Sequence, residues 1–581
     1  MITRTSRPPP NGARQRYALL VESLDDEHEQ TVVQGSLAAA RELDARLVVI
    51  AGGTVDTGNE RLRAGNFAFD LISRDNALGI LVLSSAIGSA AGPARLAEWL
   101  TRYVDVPVCC MGVPIPGRVS VRVDNAGGVR EAVQHLIEVH GKQNIGFIRG
   151  PALSEEAEVR YAAYRDELSS HGINPDPRWV AEGDYLRPSG SQAVRTILDH
   201  KRVSVHALDA LVCANDYMAL GALDELGRRG INVPEQIALV GFDDVPSASA
   251  SRPALTTVRQ PGGELGREGL KQLVLLAGGA PTQPEHVLPV ELKIRRSCGC
   301  TSLDLALATR PQASGTGGSF EAALIQRRQV IVAELARAAH GSFGAAGSDW
   351  ESPLLSALIE EMRDAKPGAL SRRIQRLLLK LEQSGSDLAA APSVLSTLRR
   401  QALVCVPPHS EARDRLEDAI SDAQTLTTTM LSQVAVTLTR ASLSRSRALA
   451  RQVQELMFGS AAEVSQALAE HLPGLGVDAC VVAAIARNGN KDAAKQLGEV
   501  RFGFAPSKGH PDLEVLPLAR LTEHPLVRAS RTLFLLPITH GSEPLGVAAF
   551  SVTTQLARSD LLEDLRELFS TVLKVSQTRH G

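Results

Sequence analysis

Between Tyr17 and about Arg259 the chain alternates short apolar runs with stretches of helical period. The runs are YALLV from Tyr17, LVVIA from Leu47, GILVL from Gly79, VPVCCM from Val106, IGFIR from Ile145, ALVCA from Ala210 and IALVGF from Ile237. Each is nearly all apolar, as a strand covered on both faces must be. Between them Val33, Leu37 and Ala40, or Val129, Val133 and Leu136, recur three and four residues apart and give a helix one apolar stripe. The alternation predicts βαβ units, a parallel sheet and helices on both of its faces.

The pattern breaks at TSLDLALATRPQASGTGGS, from Thr301 to Ser319, whose Gly, Ser, Thr and Pro offer no face to bury. A linker is expected over 303–319. Residues 320–457 have no strand-like run and are rich in Leu, Ala, Arg, Glu and Gln, with breaks at GSFGAAGS, KPG and VPPHS. They predict several helices and an all-α region. From Ser410 to Met457 there is neither Gly nor Pro, and Leu416, Ile420, Ala423, Met430, Val434 and Ala441 roughly follow a 3.5-residue seam that Thr427 and Thr437 interrupt. One long helix is expected there.

After Gly459 the pattern changes again. Val464, Leu468 and Leu472 mark an amphipathic helix, followed by DACVVAAIA, VRFGFA, and then TLFLLPI and LGVAAFSV on either side of THGSEP, a hairpin signal. Leu561, Leu565, Leu568 and Val572 stripe a closing helix. Residues 458–578 therefore read as a small α+β domain.

Composition narrows the function. The 581 residues, 44% hydrophobic and 22% charged, suit several globular domains, and 62 basic against 65 acidic residues leave a net charge of −3. No whole-chain attraction to nucleic acid or anionic membrane follows. Seven scattered cysteines do not make a disulfide framework and point to a reducing cytoplasm. The basic, Pro-rich residues 1–16 read as a disordered tail, and the apolar run behind them is too short for a signal-peptide core. Ala77–Gly92, the longest low-charge stretch, is too diluted by Ser and Gly to span a membrane. A cytoplasmic protein with no membrane partner is expected.

The segment LVCANDYMALGALDELGRRGINVPEQIALVGFDDVPSASASRPALTTVRQP, from Leu211 to Pro261, is the most informative. It resembles the ligand-binding core of the LacI/GalR family of sugar- and purine-sensing repressors. VDNAGGVREAVQHLIEVHGKQNIGFIRGP from Val123, Arg160 in RYAAYRDEL, EGDYLRPSG from Glu182 and LPVELKIRRSCGC from Leu288 fit the same family in order. The resemblance covers about half the chain, over 17–302. It implies a two-lobed type I periplasmic-binding-protein fold, a homodimer, and a small-molecule effector such as a sugar, a purine or a related metabolite. It also implies Arg160, Asn215 and Asp243 as ligand contacts and Tyr185 as a stacking wall.

The residues support a cleft by themselves. Asn215 and Asp216 stand where a strand gives way to a helix, and Asp243 and Asp244 end another strand. Asp184, Tyr185 and Arg160 lie at or just after comparable crossings. In open α/β sheets ligands bind beyond the carboxyl ends of the strands. Acids, an amide, a guanidinium and an aromatic face suit a polyhydroxylated or heterocyclic molecule. Plainer readings stand beside these: Asn215 or Asp216 as a helix cap, Tyr185 as core, and Asp244 as a loop residue. After the first strand the chain reads ESLDDEHEQ, where many members of the family place aromatics, so the ligand class stays open.

Members of the family carry a helix-turn-helix before the sensor, and the sixteen residues ahead of Tyr17 have no helical period, so DNA binding by that element is not expected. The order resembles a subgroup in which the LacI-type sensor precedes a helical region and a GAF-like domain, often with a diguanylate cyclase or histidine kinase as output. Residues 458–578 resemble a GAF-like domain. A downstream signalling protein is therefore an expected partner, with direct contact to DNA left open. No GGDEF-like segment, GxxxxGKS/T loop or kinase histidine box is found, so no enzyme and no cofactor are expected. Cys298 and Cys300 stand at C-x-C spacing with no matching Cys or His pair near them in the sequence, so no metal is expected. His140, in EVHGKQ, reads as a helix-terminal cation. Gly263, Gly266 and Gly269 read as close helix packing.

Overall fold

The computed structural model of the chain describes residues 15–300 and 320–579, apart from 340–342, 345–346, 348, 365–366, 385–387, 389, 408–409, 457–460, 474–475, 486–496, 506–514 and 553–558. Of the expected tail over 1–16, residues 1–14 lie outside the described residues, as does the linker over 303–319, but Arg16 is not tail: it opens the first strand, Arg16–Val21. Two compact units result. One joins Met1–Gly299 to Arg451–Gly581, and the other is Cys300–Ala450.

In the first unit the apolar runs become the parallel strands of two sheets. The first lobe holds β1 (Arg16–Val21), β2 (Arg46–Ala51), β3 (Ile80–Leu83), β4 (Val108–Met111) and β5 (Val119–Val123), together with β11 (Glu285–Leu288). The second holds β6 (Ile145–Ile148), β7 (Val180–Ala181), β8 (Ala210–Cys213), β9 (Ala238–Asp243), β10 (Thr256–Arg259) and β12 (Glu291–Lys293), in the order β12-β10-β9-β8-β6-β7. Leu19, Leu20, Leu81, Val82, Phe147 and Leu239 are fully buried, which accounts for strands with no polar face.

The chain crosses between the lobes three times among the described residues: after β5, after β10 and after β11. Two crossings are tied together, because the backbone N–H of Asp124 donates to Leu288 O at 3.0 Å. The third enters the helix Gly262–Ala277, which packs on the helix Glu27–Glu42. A Cβ on Gly266 would stand 2.0 Å from Val32 O, and one on Gly35 would stand 1.9 Å from Gly263 O. These glycines set the close approach of the two helices.

The C-terminal α+β segment, expected to be a small domain of its own, continues the first lobe's sheet. β16 (Thr532–His540) pairs in parallel with β2, with Val48 opposite Leu533 and Ile50 opposite Leu535. β17 (Glu543–Val552) forms the expected hairpin with β16, and β13 (Val477–Ile485), β14 (Leu497–Phe504) and β15 (Val515–Pro517) follow. The result is one sheet of 11 strands, β11-β5-β4-β3-β1-β2-β16-β17-β13-β14-β15. One core serves both segments, for Leu20, Ile50, Phe69 and Val82 share a cluster with Val481, Leu521, Leu535 and Val547. The polar contacts agree: Arg16 Nη1 donates to Thr522 Oγ1 at 3.1 Å, and Arg46 Nη1 to Arg528 O at 3.0 Å. Neither half of the pairing carries a mark of its partner in the sequence. The parallel pair needs no local turn, unlike the hairpin that THGSEP announces.

The second unit is helical, as its composition requires. Helices Arg328–Ala338, Glu351–Asp364, Ala369–Gln383 and Ala391–Leu403 bury Leu335, Leu358, Leu378 and Leu398 in one cluster. Glu411–Leu456 is a single helix of 46 residues, and its Leu416, Ile420, Ala423 and Met430 face that cluster. Thr427 is buried with them, its hydroxyl donating to Ala423 O at 2.7 Å. A polar residue on the seam is thus satisfied by its own helix. The side chain of Ala441 lies outside the described residues. No described helix is long and apolar enough to cross a membrane.

Candidate functional site

Arg160 lies on the buried face of the helix Glu155–Ser170, where Ala157, Arg160, Tyr164 and Leu168 recur at helical spacing. Ser154 caps that helix by accepting from Ala157 N at 3.3 Å. The guanidinium is only 2% exposed. Its Nε donates to Asn125 Oδ1 at 2.8 Å, its Nη1 donates to Ala214 O at 2.7 Å, and it stacks 3.9 Å above the Phe242 ring. Nη1 is also 3.9 Å from Asp243 Oδ1, and Nη2 is 3.7 Å from Glu156 Oε2. Nη2 is buried and makes no hydrogen bond among the described residues. A buried donor in that state costs about 1–3 kcal/mol.

Asp243 closes β9 with φ at 119°, a left-handed conformation that a side chain rarely adopts. Gln260 Nε2 donates to its Oδ1 at 2.6 Å. Burial raises its pKa to about 6, and the nearby Arg160 and His28 charges limit the rise. Asp244 follows with φ at 62°, and its carboxylate lies between Arg259 Nε at 2.6 Å and Arg295 Nη2 at 2.5 Å. It is committed to a bridge within the second lobe.

Tyr185 also has a positive φ, 70°, and its hydroxyl lies 3.1 Å from Ser154 Oγ. A Cβ on Gly150 would stand 2.5 Å from the Tyr185 ring, so glycine is what lets the ring lie there. Burial pushes the phenol up to about 12. Asn215 serves two neighbours at once. Its Oδ1 accepts from Met218 N at 3.0 Å as the cap of the helix Asp216–Arg228, while its Nδ2 donates to Tyr185 O at 3.0 Å. The cap reading therefore holds, and the same amide fixes the Tyr185 backbone.

Asp216, fully buried, accepts from Thr257 Oγ1 at 2.6 Å and from Val245 N at 3.0 Å. Burial, and then Asp243, hold its pKa well above the usual carboxylate range. It braces the base of the site. Asp184 is not brought to the Arg160–Asp243 pair. It is exposed, and its Oδ1 accepts from Leu186 N at 2.9 Å, closing the turn that starts the next helix. DYLRPS is thus a turn-and-helix-start sequence as much as a site sequence.

Sequence reading missed Asn125, Ser154, Glu156 and Gln260, which surround the same centre. Their only cue is position, each standing at the end of a strand or the first turn of a helix. It also missed the use made of ESLDDEHEQ. Asp26 caps the helix Glu27–Glu42, and Glu29 is buried as it accepts from Glu22 N at 2.9 Å. Glu27 reaches the other lobe: its Oε2 accepts from Ser247 Oγ at 2.9 Å, and its N–H donates to Tyr217 Oη at 3.1 Å. This acidic segment joins the two lobes.

Two further findings lie at the end of the 17–302 segment. His135 and His140 stand beside Cys298 and Cys300 in space, although the sequence keeps the pairs far apart. His140 is not a favoured cation, because burial and then Lys142 lower its pKa.

The family model described as a periplasmic binding protein-like domain matches residues 133–298. Over 188 residues the chain is 38% identical to the HTH-type transcriptional regulator CelR of Thermobifida fusca, covering 32% of this chain and 54% of that protein. Over 179 residues it is 35% identical to the HTH-type transcriptional repressor CytR of Escherichia coli, covering 31% and 51%. A solved structure, the transcriptional regulator CelR-cellobiose complex, aligns over 49% of this chain and 85% of that one at 29% identity and a TM-score of 0.42. The chain spans about half the length of the curated relatives it matches. Residues 133–298 are thus a periplasmic binding protein-like domain, and about a third of the chain is similar in sequence to these transcriptional regulators. The helical region and the mixed-sheet segment carry no such assignment.

Proposed function

We propose that the protein is a small-molecule-sensing regulator, in which an effector bound between the two lobes changes their closure and so the state of the attached segments. The observation that carries this reading is the pair formed by Arg160 and Asp243. A buried guanidinium with an unused donor beside a buried carboxylate offers a donor and an acceptor to one polyol or heterocycle. Asp243, Arg160 and Tyr185 are read as the contacts, Asn215 as the amide that positions Tyr185, and Asp184 as a rim residue.

Entry of the effector is read here as a parting of the two lobes. Glu27 with Ser247 and Tyr217 is the latch that parting would break. An effector shifts this equilibrium only by its difference in affinity for the two states. The mixed-sheet segment, read as GAF-like, hangs directly on β2 and would feel the first lobe's movement without an intermediary. A homodimer, a cytoplasmic location, a non-enzymatic role and a downstream signalling protein, including a partner diguanylate cyclase or histidine kinase, belong to the same reading.

The test is a thermal-unfolding screen of the full chain against cellobiose, monosaccharides, sugar phosphates, purines and polyols. Ligand at 100 times its Kd adds about 2.7 kcal/mol. A hit that Asp243→Ala abolishes supports the reading; a hit that survives it puts the site elsewhere. Control of transcription by contact with DNA is the second reading, favoured by the printed roles of the relatives. A gel shift that weakens steeply with added salt would support it.

A further inference from the structure

We propose that His135, His140, Cys298 and Cys300 form a zinc site at the end of the sensor, separate from the cleft. One ligand atom from each residue, two imidazole nitrogens and two sulfurs, lies within 4.8 Å of all the others. Tetrahedral zinc, with bonds of about 2.0–2.3 Å, sets its ligand atoms about 3.3–3.8 Å apart. Side-chain rotation of about an ångström closes the difference. The His2Cys2 set is the donor chemistry of structural zinc, and with four protein ligands the ion keeps no open position for a substrate.

The backbone on both sides is arranged for this set. His135 occupies the last turn of the helix Asn125–Glu138. The chain then wraps back, with Gly141 at φ 63° and Lys142 N–H donating to Leu136 O at 3.0 Å, which carries His140 round to face His135. The ring centroids of the two histidines are 5.0 Å apart, nearly perpendicular.

Opposite them, Ser297 is fully buried. It donates to Leu239 O at 2.6 Å and accepts from Thr256 N at 2.7 Å, which anchors the turn Arg296–Cys298 to the second sheet. Gly299, between the two cysteines, has φ 108°, and a Cβ there would stand 3.2 Å from His140 Cε1. Only glycine lets the C-x-C turn pass over that ring. The site staples a helix end to the residues where the chain leaves the sensor domain. Binding releases the two thiol protons to solvent as the sulfurs become thiolates.

The test uses the full chain, reduced and stripped with a chelator, titrated with Zn2+ against a chromophoric competitor and with Co2+ as a spectroscopic substitute. The expected result is one equivalent of metal per chain and a thiolate-to-cobalt charge-transfer band. Cys300→Ser and His140→Gln are each expected to weaken binding at least tenfold, and Cys298→Ser to remove the band. Cys405→Ser, in the helical unit, should change nothing. Circular dichroism of the metal-free variants checks that they fold, and Cys300→Ser, at a partly exposed position, is the variant least exposed to that risk. Failure of the reduced chain to take up metal would overturn the proposal, as would uptake unchanged in the Cys300→Ser/His140→Gln double variant. A stable Cys298–Cys300 disulfide whose reduction restores no uptake would overturn it too. None of these outcomes depends on the effector.

Discussion

Arg160 Nη1 stands 3.9 Å from Asp243 Oδ1 and spends its hydrogen bond on Ala214 O at 2.7 Å. The pair is thus in contact but not closed, and both charges keep capacity for a third group. Asp243→Ala is expected to leave a folded chain that no longer gains thermal stability from the effector. Arg160→Lys should lose at least tenfold in affinity, because an ammonium cannot keep the bonds to Asn125 and Ala214 while offering a donor to the cleft. Calorimetric titration of both variants measures this.

The pKa of Asp243 sets a pH dependence. Its folded value, about 6, exceeds the ordinary 3.8, so the folded state holds the proton more tightly than the unfolded chain. The contribution of the group to stability is complete below about pH 4 and is lost as pH rises through 6, about 3 kcal/mol in all. Asp243→Asn, which mimics the protonated acid and does not titrate, should match wild type near pH 4 in denaturant unfolding and become the more stable of the two as pH rises through 6. Effector affinity should move the other way if the carboxylate accepts from the ligand, falling as pH drops through 6.

Gly150→Ala should disturb the site without touching a ligand. A Cβ 2.5 Å from the Tyr185 ring forces the ring away. A stability loss of about 1–3 kcal/mol is expected, with weaker effector binding. Tyr185→Phe, which keeps the ring and loses only the contact with Ser154, should cost about 1 kcal/mol. If Gly150→Ala binds like wild type, Tyr185 is core and not a wall of the cleft.

Asn215→Ser tests a division of labour. Serine also caps a helix and brings no charge into the buried site, so stability should fall little, whereas the bond from Nδ2 to Tyr185 O is lost. Effector affinity should drop while the unfolding midpoint holds. Asn215→Ala should lower both, with about 1 kcal/mol for the cap.

The shared core predicts that the first unit melts as one. Leu535 is 1% exposed and clusters with Ile50, so Leu535→Ala should cost about 2–5 kcal/mol and lower the transition of the ligand-binding domain, although it lies in the C-terminal segment. Scanning calorimetry with and without effector would read this. A lowered transition that the effector cannot raise would show that the two segments unfold separately.

The sensor was largely legible. Runs such as LVVIA and IGFIR are strands, because a parallel sheet buried on both faces leaves a continuous apolar signature. β5, with Arg122 in VSVRV, and β10, TTVR, were not legible, because polar residues interrupt runs too short to stand out. In the site, the cues at Arg160 and Asp243 were chemical and positional together. Asp184 shared the position, but its carboxylate goes to a local turn. The pairing of β2 with β16 and the meeting of His135 with Cys298 are consequences of topology, and no local pattern encodes a partner hundreds of residues away.

That pairing also orders events during synthesis. Arg16 and Thr522 are hydrogen-bonded across 506 residues of chain. At a translation rate of roughly 5–20 residues per second, some 25–100 seconds separate their emergence from the ribosome. Through that interval β2 is a bare edge with a row of unsatisfied amides, open to pairing with another nascent chain. The second lobe, whose strands all lie between Ile145 and Lys293, has no such wait. The nascent protein therefore holds one finished lobe and one unfinished one, and its yield should depend on chaperones that shield the first strands until the last ones arrive.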